Sequence, residues 1–198
     1  MRDFVKVSEI CCKIRHWLNH LAITQNHLDT MIHPFKNKTP IIHATALIVD
    51  SAQIIGDVEI GEQSSVWFNA VVRGDVNYIR IGKRTNIQDG CILHVSRKTY
   101  PLIVADDVTV GHNVTLHACI VQSRCLIGMG AIVMDGAEVG ENSIIGAGAV
   151  VTPKTIIPPR SMVLGFPAKV KRELNEKEVR QIQESAAHYV SDIQDYKN

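Results

Sequence analysis

Aliphatic residues recur at every sixth position through residues 121–157 of this 198-residue chain. Small residues stand four places after most of them. A period of six fits neither the turn of an α-helix nor the alternation of an ordinary strand. It is the period of hexapeptide β-helix repeats, in which each hexad forms a short strand and a corner. The unbroken run consists of Val121, Ile127, Val133, Val139, Ile145, Val151 and Ile157.

Three earlier blocks keep the same spacing and are separated by short interruptions. They begin at Ile60, Ile81 and Val104. Three hexads close one triangular coil, so the first residue of each hexad points inward and stacks on its counterparts in neighbouring coils. The fifth position of the hexad also points inward near a corner, where only a small side chain fits. We therefore predict an all-β fold, a parallel β-helix of hexapeptide repeats over residues 40–168.

The two ends of the chain lack the repeat. Residues 1–39 form an N-terminal extension that is either helical or flexible, and helical spacing of apolar residues predicts a helix near residues 7–22. Met31 is an alternative start of the protein. Residues 169–198 predict a C-terminal α-helix that packs on the β-helix, and Asn175 with Glu178 resembles a capping box at its start.

Composition excludes several classes of function. Lys and Arg total 21 against 20 Asp and Glu, and aromatic residues are only 5% of the chain, so we predict neither a nucleic-acid partner nor a membrane partner. The five cysteines lack the spacing of a disulfide framework, which favours a reducing, cytoplasmic compartment. Cys91 and Cys125 occupy the small inward position, so we interpret them as core residues rather than nucleophiles.

The repeat also positions three histidines. His94 and His117 each follow the inward residue of the third side of a coil, so both point outward, one coil apart. Strands in neighbouring coils are separated by about 4.8 Å, close enough for two rings to bind one metal ion. Arg73 belongs to the same column. His112 lies on the second side, with Gln88 one coil earlier, and could join the pair only from a neighbouring subunit of a threefold ring.

Four stretches of the chain carry a family resemblance: Val72–Asp75, Ile81–Gly90, Leu93–Val95 and Val110–His117. They resemble the γ-class carbonic anhydrase family. The resemblance covers roughly residues 40–196 and implies a left-handed β-helix assembled as a homotrimer. It implies a metal ion, Zn²⁺ or in its place Fe²⁺ or Co²⁺, held by His94 and His117 of one subunit and His112 of the next. The implied reaction is the reversible hydration of CO2 to bicarbonate by a metal-bound hydroxide.

The resemblance also implies roles for residues around the metal. Gln88 would orient the hydroxide, and Tyr189 would approach the metal cleft, although packing explains its position equally well. Arg73, Asp75 and Asp89 match charged residues of the site and the interface, and an ion-pair network that locks the trimer is at least as good an interpretation.

The chain departs from the family pattern at two places. Val76 follows Asp75 where active members carry a glutamate nearby, and the loop that starts at Ser96 is basic rather than acidic. Two alternatives to a zinc-dependent lyase therefore stay open. One is a trimeric metal-binding scaffold with little carbonic anhydrase activity, and the other is a hexapeptide-repeat acyltransferase.

Overall fold

A computed structural model describes residues 31–197 of the chain. Short parallel strands alternate with corners and wind into a triangular solenoid, which a C-terminal helix follows. This confirms the predicted fold, a left-handed parallel β-helix of hexapeptide repeats. The helix predicted near residues 7–22 lies outside the described residues.

The strands stack on three faces, which keep the names first, second and third side from the repeat. Strands β4 (Gln53–Ile60) and β6 (Val71–Ile81) bend around the corner between the third and first faces and contribute to both. The first face also contains β2 (Ile41–Ile42), β9 (Leu102–Val104), β12 (Ile120–Val121), β15 (Glu138–Val139) and β18 (Ile156–Ile157).

The other two faces are built in the same way. The second face consists of β3 (Leu47–Ile48), β5 (Ser65–Val66), β7 (Asn86–Ile87), β10 (Thr109–Val110), β13 (Leu126–Ile127), β16 (Ile144–Ile145) and β19 (Ser161–Leu164). The third face is completed by β1 (Ile32–His33), β8 (Ile92–His94), β11 (Thr115–His117), β14 (Ile132–Val133) and β17 (Val150–Val151).

The core of the solenoid is the stack of inward residues that the repeat predicts. On the third face Val72, Leu93 and Leu116 pair in register, and all three are completely buried. Each fully buried aliphatic side chain of this kind stabilises the fold by roughly 1.5–3 kcal/mol. Cys91 and Cys125 are buried at the small inward position. Outward side chains, by contrast, are free to vary from coil to coil.

The predicted boundary at residue 40 is too late. Ile32 and His33 already pair with Ile54 and Ile55 of β4, and Met31 is buried. The β-helix therefore includes at least residues 31–33. Sequence inspection misses this strand because Pro34 and the polar residues after it interrupt the six-residue spacing.

The predicted C-terminal helix begins later than residue 169. Residues Lys169–Glu173 form β20, which pairs antiparallel with β19. Helix α1 then spans Glu176–Lys197. Its capping box is present, because the amide of Glu178 donates to Asn175 Oδ1 and the amide of Asn175 donates to Glu178 Oε2, both at 3.0 Å.

Helix α1 covers the second face, as predicted for a helix that packs on the solenoid. Val179 and Ile182 pack with Leu126 and Ile144 of that face, and Ser185 contacts Thr109 of β10. The helix therefore runs from the C-terminal coils back toward the N-terminal ones. None of the helices within residues 31–197 is long and apolar enough to cross a membrane.

Candidate metal centre

Two histidines face each other on the third face. Strand β6 pairs Arg73 with His94 of β8, and β8 pairs His94 with His117 of β11. This confirms the predicted outward column. The two rings are 5.2 Å apart between centroids, and His94 Nδ1 lies 3.2 Å from His117 Nε2.

Carboxylates occupy the opposite ring nitrogens of this pair. Asp75 Oδ1 lies 3.0 Å from His94 Nε2, and Asp135 Oδ1 lies 2.6 Å from His117 Nδ1. Asp75 is held in turn by Arg73 Nη1, 2.5 Å from its other oxygen. Each carboxylate thereby fixes the orientation of one ring and favours the tautomer whose free nitrogen points at the other ring.

The same hydrogen bonds keep both carboxylates ionised. Burial raises the pKa of Asp75, but hydrogen bonds from His94 and Arg73 outweigh it, so the pKa falls below its ordinary value. Burial also raises the pKa of Asp135, but hydrogen bonds from Ser96 and His117 outweigh it, so the pKa of Asp135 falls below its ordinary value as well. The hydroxyl of Ser96 donates to Asp135 Oδ2.

This pair fits a zinc-like ion. A tetrahedral zinc ion with bonds of about 2.0–2.1 Å holds two nitrogen ligands roughly 3.3–3.4 Å apart. The free nitrogens of His94 and His117 are separated by 3.2 Å. Both rings also have the carboxylate partners that metal-binding histidines usually have on the remote nitrogen.

His112 lies elsewhere, on the corner that follows the second face. Its Nδ1 is 2.7 Å from Asp89 Oδ2, and both side chains are 42% exposed. The ring is therefore oriented by a carboxylate, as in the pair, but its remaining nitrogen points at no described histidine. Within residues 31–197, no three His, Cys, Asp or Glu side chains come together as a metal-binding group.

Gln88 lies one coil before His112 on the second face and is 6% exposed. Its Nε2 donates to Asn86 Oδ1 at 3.1 Å, and Asn86 donates to Thr109 Oγ1 at 3.1 Å. Among the described residues, no donor is paired with Gln88 Oε1. The amide is thus held in place by β7 and β10 while its oxygen remains available to a ligand.

Tyr189 reaches the same corner from helix α1. Its ring meets Trp67 edge-on at 5.6 Å between centroids, so packing accounts for its position. Burial, followed by the charges of Asp89 and Asp192, raises the pKa of its hydroxyl, which therefore stays protonated and able to donate. Gln88, His112 and Tyr189 line one groove.

Sequence inspection misses three residues of this region. Asp135 and Ser96 complete the hydrogen bonds of His117, and Trp67 supports Tyr189. The repeat could have pointed to Asp135. It directly follows the residue that occupies the column of His117 one coil later. Ser96 offers no such signal, because it belongs to a loop with no repeat register.

Cys91 and Cys125 are not part of the site. Burial raises the pKa of the Cys91 and Cys125 thiols to about 12. Cys91 Sγ contacts the carbonyl oxygen of Gly111 at 3.1 Å, and Cys125 Sγ contacts that of Gly140 at 3.3 Å. A thiol with so high a pKa is a poor nucleophile at neutral pH, in agreement with the interpretation as core residues.

Comparison with known proteins supports one family. Residues 118–153 match the family model described as bacterial transferase hexapeptide (six repeats). A protein of Geobacillus kaustophilus called carbonic anhydrase is 53% identical over 84% of this chain and 91% of its own length. The Bacillus subtilis protein called uncharacterized transferase YtoA is 61% identical over 84% of this chain and 97% of its own length.

A solved structure gives the same result for the fold. The BC4754 gene product of Bacillus cereus, described as a candidate acetyltransferase, superposes with a TM-score of 0.83 at 50% identity. The match covers 84% of this chain and 96% of that one. The chain belongs to the γ-class carbonic anhydrase-like family of hexapeptide-repeat proteins.

Proposed function

We propose that this protein is a metal-dependent lyase that reversibly hydrates CO2 to bicarbonate at a site shared between the subunits of a homotrimer. The metal is Zn²⁺, with Fe²⁺ or Co²⁺ as alternatives. His94 and His117 of one subunit and His112 of the next would hold it. Relatives named carbonic anhydrase support this reaction class.

One observation carries the proposal. The free nitrogens of His94 and His117 face each other at 3.2 Å while aspartates bind the opposite nitrogens. An ordinary surface pair of histidines has no reason to be oriented by two separate carboxylates. Two protein ligands leave a site incomplete, and His112 with its own aspartate is a third ligand with matching chemistry.

The chain's own residues would bind and orient the reactants. When bound, the metal lowers the pKa of a water ligand to about 7, a magnitude established for carbonic anhydrase itself. Gln88 Oε1 can accept a hydrogen bond from the attacking water and so orient its lone pair toward carbon. Arg73 forms an ion pair with one oxygen of Asp75, and the other oxygen of that carboxylate orients His94.

The proposal is tested with purified, metal-loaded protein in a stopped-flow assay with a pH indicator. We expect CO2 hydration above the buffer background, and we expect His117→Ala to remove both bound metal and activity. Light scattering should give about three times the chain mass of 21.9 kDa. Full metal occupancy with only background hydration would instead identify a scaffold, and a monomer would contradict the shared site.

The acyltransferase alternative is separated by a second assay. Several relatives carry transferase names, so release of free thiol from acetyl coenzyme A should be measured with small amine and hydroxyl acceptors. We expect none, because the third face presents a pair of metal ligands rather than a lone general base. Thiol release that depends on His112 but not on metal would favour the alternative.

A further inference from the structure

A groove of about 490 Å3 runs along the second face beside Gln88 and His112. Its floor follows Gly111, Gly128 and Gly146, which stand in one column of successive coils. Three coil spacings of about 4.8 Å, from Gln88 to Gly146, make it about 14 Å long. A water molecule takes roughly 30 Å3 in the liquid, so the groove is far larger than CO2 requires.

The glycines of the floor have a structural cause, so they do not by themselves indicate a ligand. A Cβ atom at Gly128 would lie 2.5 Å from the amide nitrogen of Ala147, in the coil above. The first face has a similar column with Gly61 and Gly82, whose groove is lined by the charged Glu59 and Arg80. What distinguishes the second-face groove is the rest of its lining.

The walls of the second-face groove are apolar along most of its length. Leu126 and Ile144 form one wall beneath helix α1, and Met129, which is 59% exposed, stands on the corner side. Leu164 closes the far end, since a Cβ atom at Gly146 would meet its Cδ2. The long dimension of the groove therefore suits an apolar chain.

Hydrogen-bonding groups stand at the opposite end. Gln88 is more than nine-tenths buried there, and no donor among residues 31–197 is paired with its Oε1. Tyr189 presents a protonated hydroxyl at the same end. Burial raises the pKa of that hydroxyl most, and the charges of Asp89 and Asp192 raise it further. When no metal ion is bound nearby, their negative charge disfavours an anionic ligand.

We propose that this groove binds an amide that carries an apolar chain. The chain lies over the glycine floor toward Leu164, the amide oxygen accepts a hydrogen bond from Tyr189, and the amide N–H donates to Gln88 Oε1. The inference rests on the proposed function, since Gln88 and His112 belong to the candidate metal centre. It extends the substrates and inhibitors of that centre from CO2 to neutral carbonyl compounds with an apolar chain.

The test is a calorimetric titration of the full-length, metal-loaded protein with straight-chain primary amides from acetamide to decanamide. We expect affinity to rise by about fourfold for each added methylene, until the chain fills the groove. In metal-free protein, where no cation attracts them, the carboxylates of the same lengths should bind more weakly than the amides. An affinity that does not change with chain length would overturn the proposal.

Two substitutions locate the binding. Ala147→Phe places a ring over the groove at an exposed corner, and we expect it to remove the dependence on chain length. Ala105→Phe is the matched control in the first-face groove and should leave that dependence intact. Equal loss in both variants would contradict the assignment. Dissociation of the trimer by Ala147→Phe would show instead that a second copy of the chain occupies the groove.

Failure of the groove proposal can be told apart from failure of the proposed function. CO2 hydration without chain-length-dependent binding removes only the groove. Chain-length-dependent binding without hydration removes the proposed reaction and keeps the ligand class. The titration is repeated on metal-free protein, where the same length dependence is expected because the walls contain no metal ligand other than His112.

Discussion

The two histidine half-sites of this chain are built to different degrees of completeness. His94 and His117 stand on neighbouring strands, and a chain of hydrogen bonds joins Arg73, Asp75 and Asp135 to their rings. His112 stands on a corner with Asp89 as its one charged partner among the described residues. Under the proposed function the two half-sites have different roles: the third face is a formed two-nitrogen clamp, and the corner would supply a third ligand to the clamp of another chain.

Strand pairing fixes the geometry of the clamp. Neighbouring strands β8 and β11 fix the separation of His94 and His117 through their backbone ladder. His112 lies on a corner outside the strands, where its carbonyl oxygen accepts the amide of Gly130 in the next coil at 2.8 Å. Its backbone is therefore also held in place, and the proposed contact with another subunit would depend on its side chain, which is 42% exposed.

The strongest test of this comparison is complementation between two inactive chains. His117→Ala destroys the clamp and His112→Ala destroys the corner ligand, so each homotrimer should lose its bound metal. If the two chains are unfolded, mixed in equal amounts and refolded, each mixed trimer contains one intact site. Statistical mixing in a closed threefold ring should restore roughly a quarter of the sites.

Metal content after gel filtration and the rate of CO2 hydration both measure this recovery. The control mixes His117→Ala with His94→Ala, because two defects in the same half-site can never form an intact interface. Recovery in the control, or none in the test mixture, would contradict a site shared between subunits.

A smaller effect is expected when a ring is kept but its carboxylate is weakened. Asp135→Asn removes the charge that orients His117, and loss of such a partner typically lowers metal affinity by about 10–100-fold. Chelator competition measures that affinity without any need for turnover. Glu138→Gln, on the exposed side of the first face, is the matched control and should leave the affinity unchanged.

If Asp135→Asn leaves the zinc affinity at the wild-type value, the carboxylate does not support metal binding and serves only to stabilise the fold or the trimer through ion pairs. In that case thermal stability or the trimer–monomer equilibrium should change instead, and both can be measured on the same samples.

The smallest effect is expected for Gln88 and Tyr189, near the His112 corner. It distinguishes a role in the reaction from a role in packing. Gln88→Ala removes a hydrogen-bonding group worth about 1 kcal/mol, so we expect kcat to fall about fivefold with metal content retained. Tyr189→Phe keeps the edge contact with Trp67 and should change kcat less. A larger loss in Tyr189→Phe than in Gln88→Ala would assign the direct role to the tyrosine.

The sequence predicts the fold and the clamp because both follow from one period. The inward residues Leu93 and Leu116 set the register, and that register puts His94 beside His117. The aspartate partners are harder to predict, because their side chains reach the rings from corners and loops. Asp75 is identified only through the family motif, and Asp135 is missed although it lies close to the column.

Other differences come from segments without the repeat. Strand β1 is separated from β2 by residues that do not follow the six-residue spacing, so the first coil falls within the predicted extension. Strand β20 precedes helix α1 and pairs by an antiparallel hairpin, which the parallel repeat does not anticipate. The proposed contact between subunits would depend on surface complementarity, which no single-chain periodicity encodes.

Three interruptions of the repeat occupy the same corner in three successive coils of the solenoid. A perfect solenoid is uniform along its axis, so no coil on it differs from another. The irregular corners fall directly after Arg73, His94 and His117, as an insertion near Val76, a loop near Lys98 and a shortened step at Ala118. From Val121 to Ile157 the spacing is unbroken. Local defects in a periodic scaffold thus mark a short stretch of it where the surface can become chemically distinct.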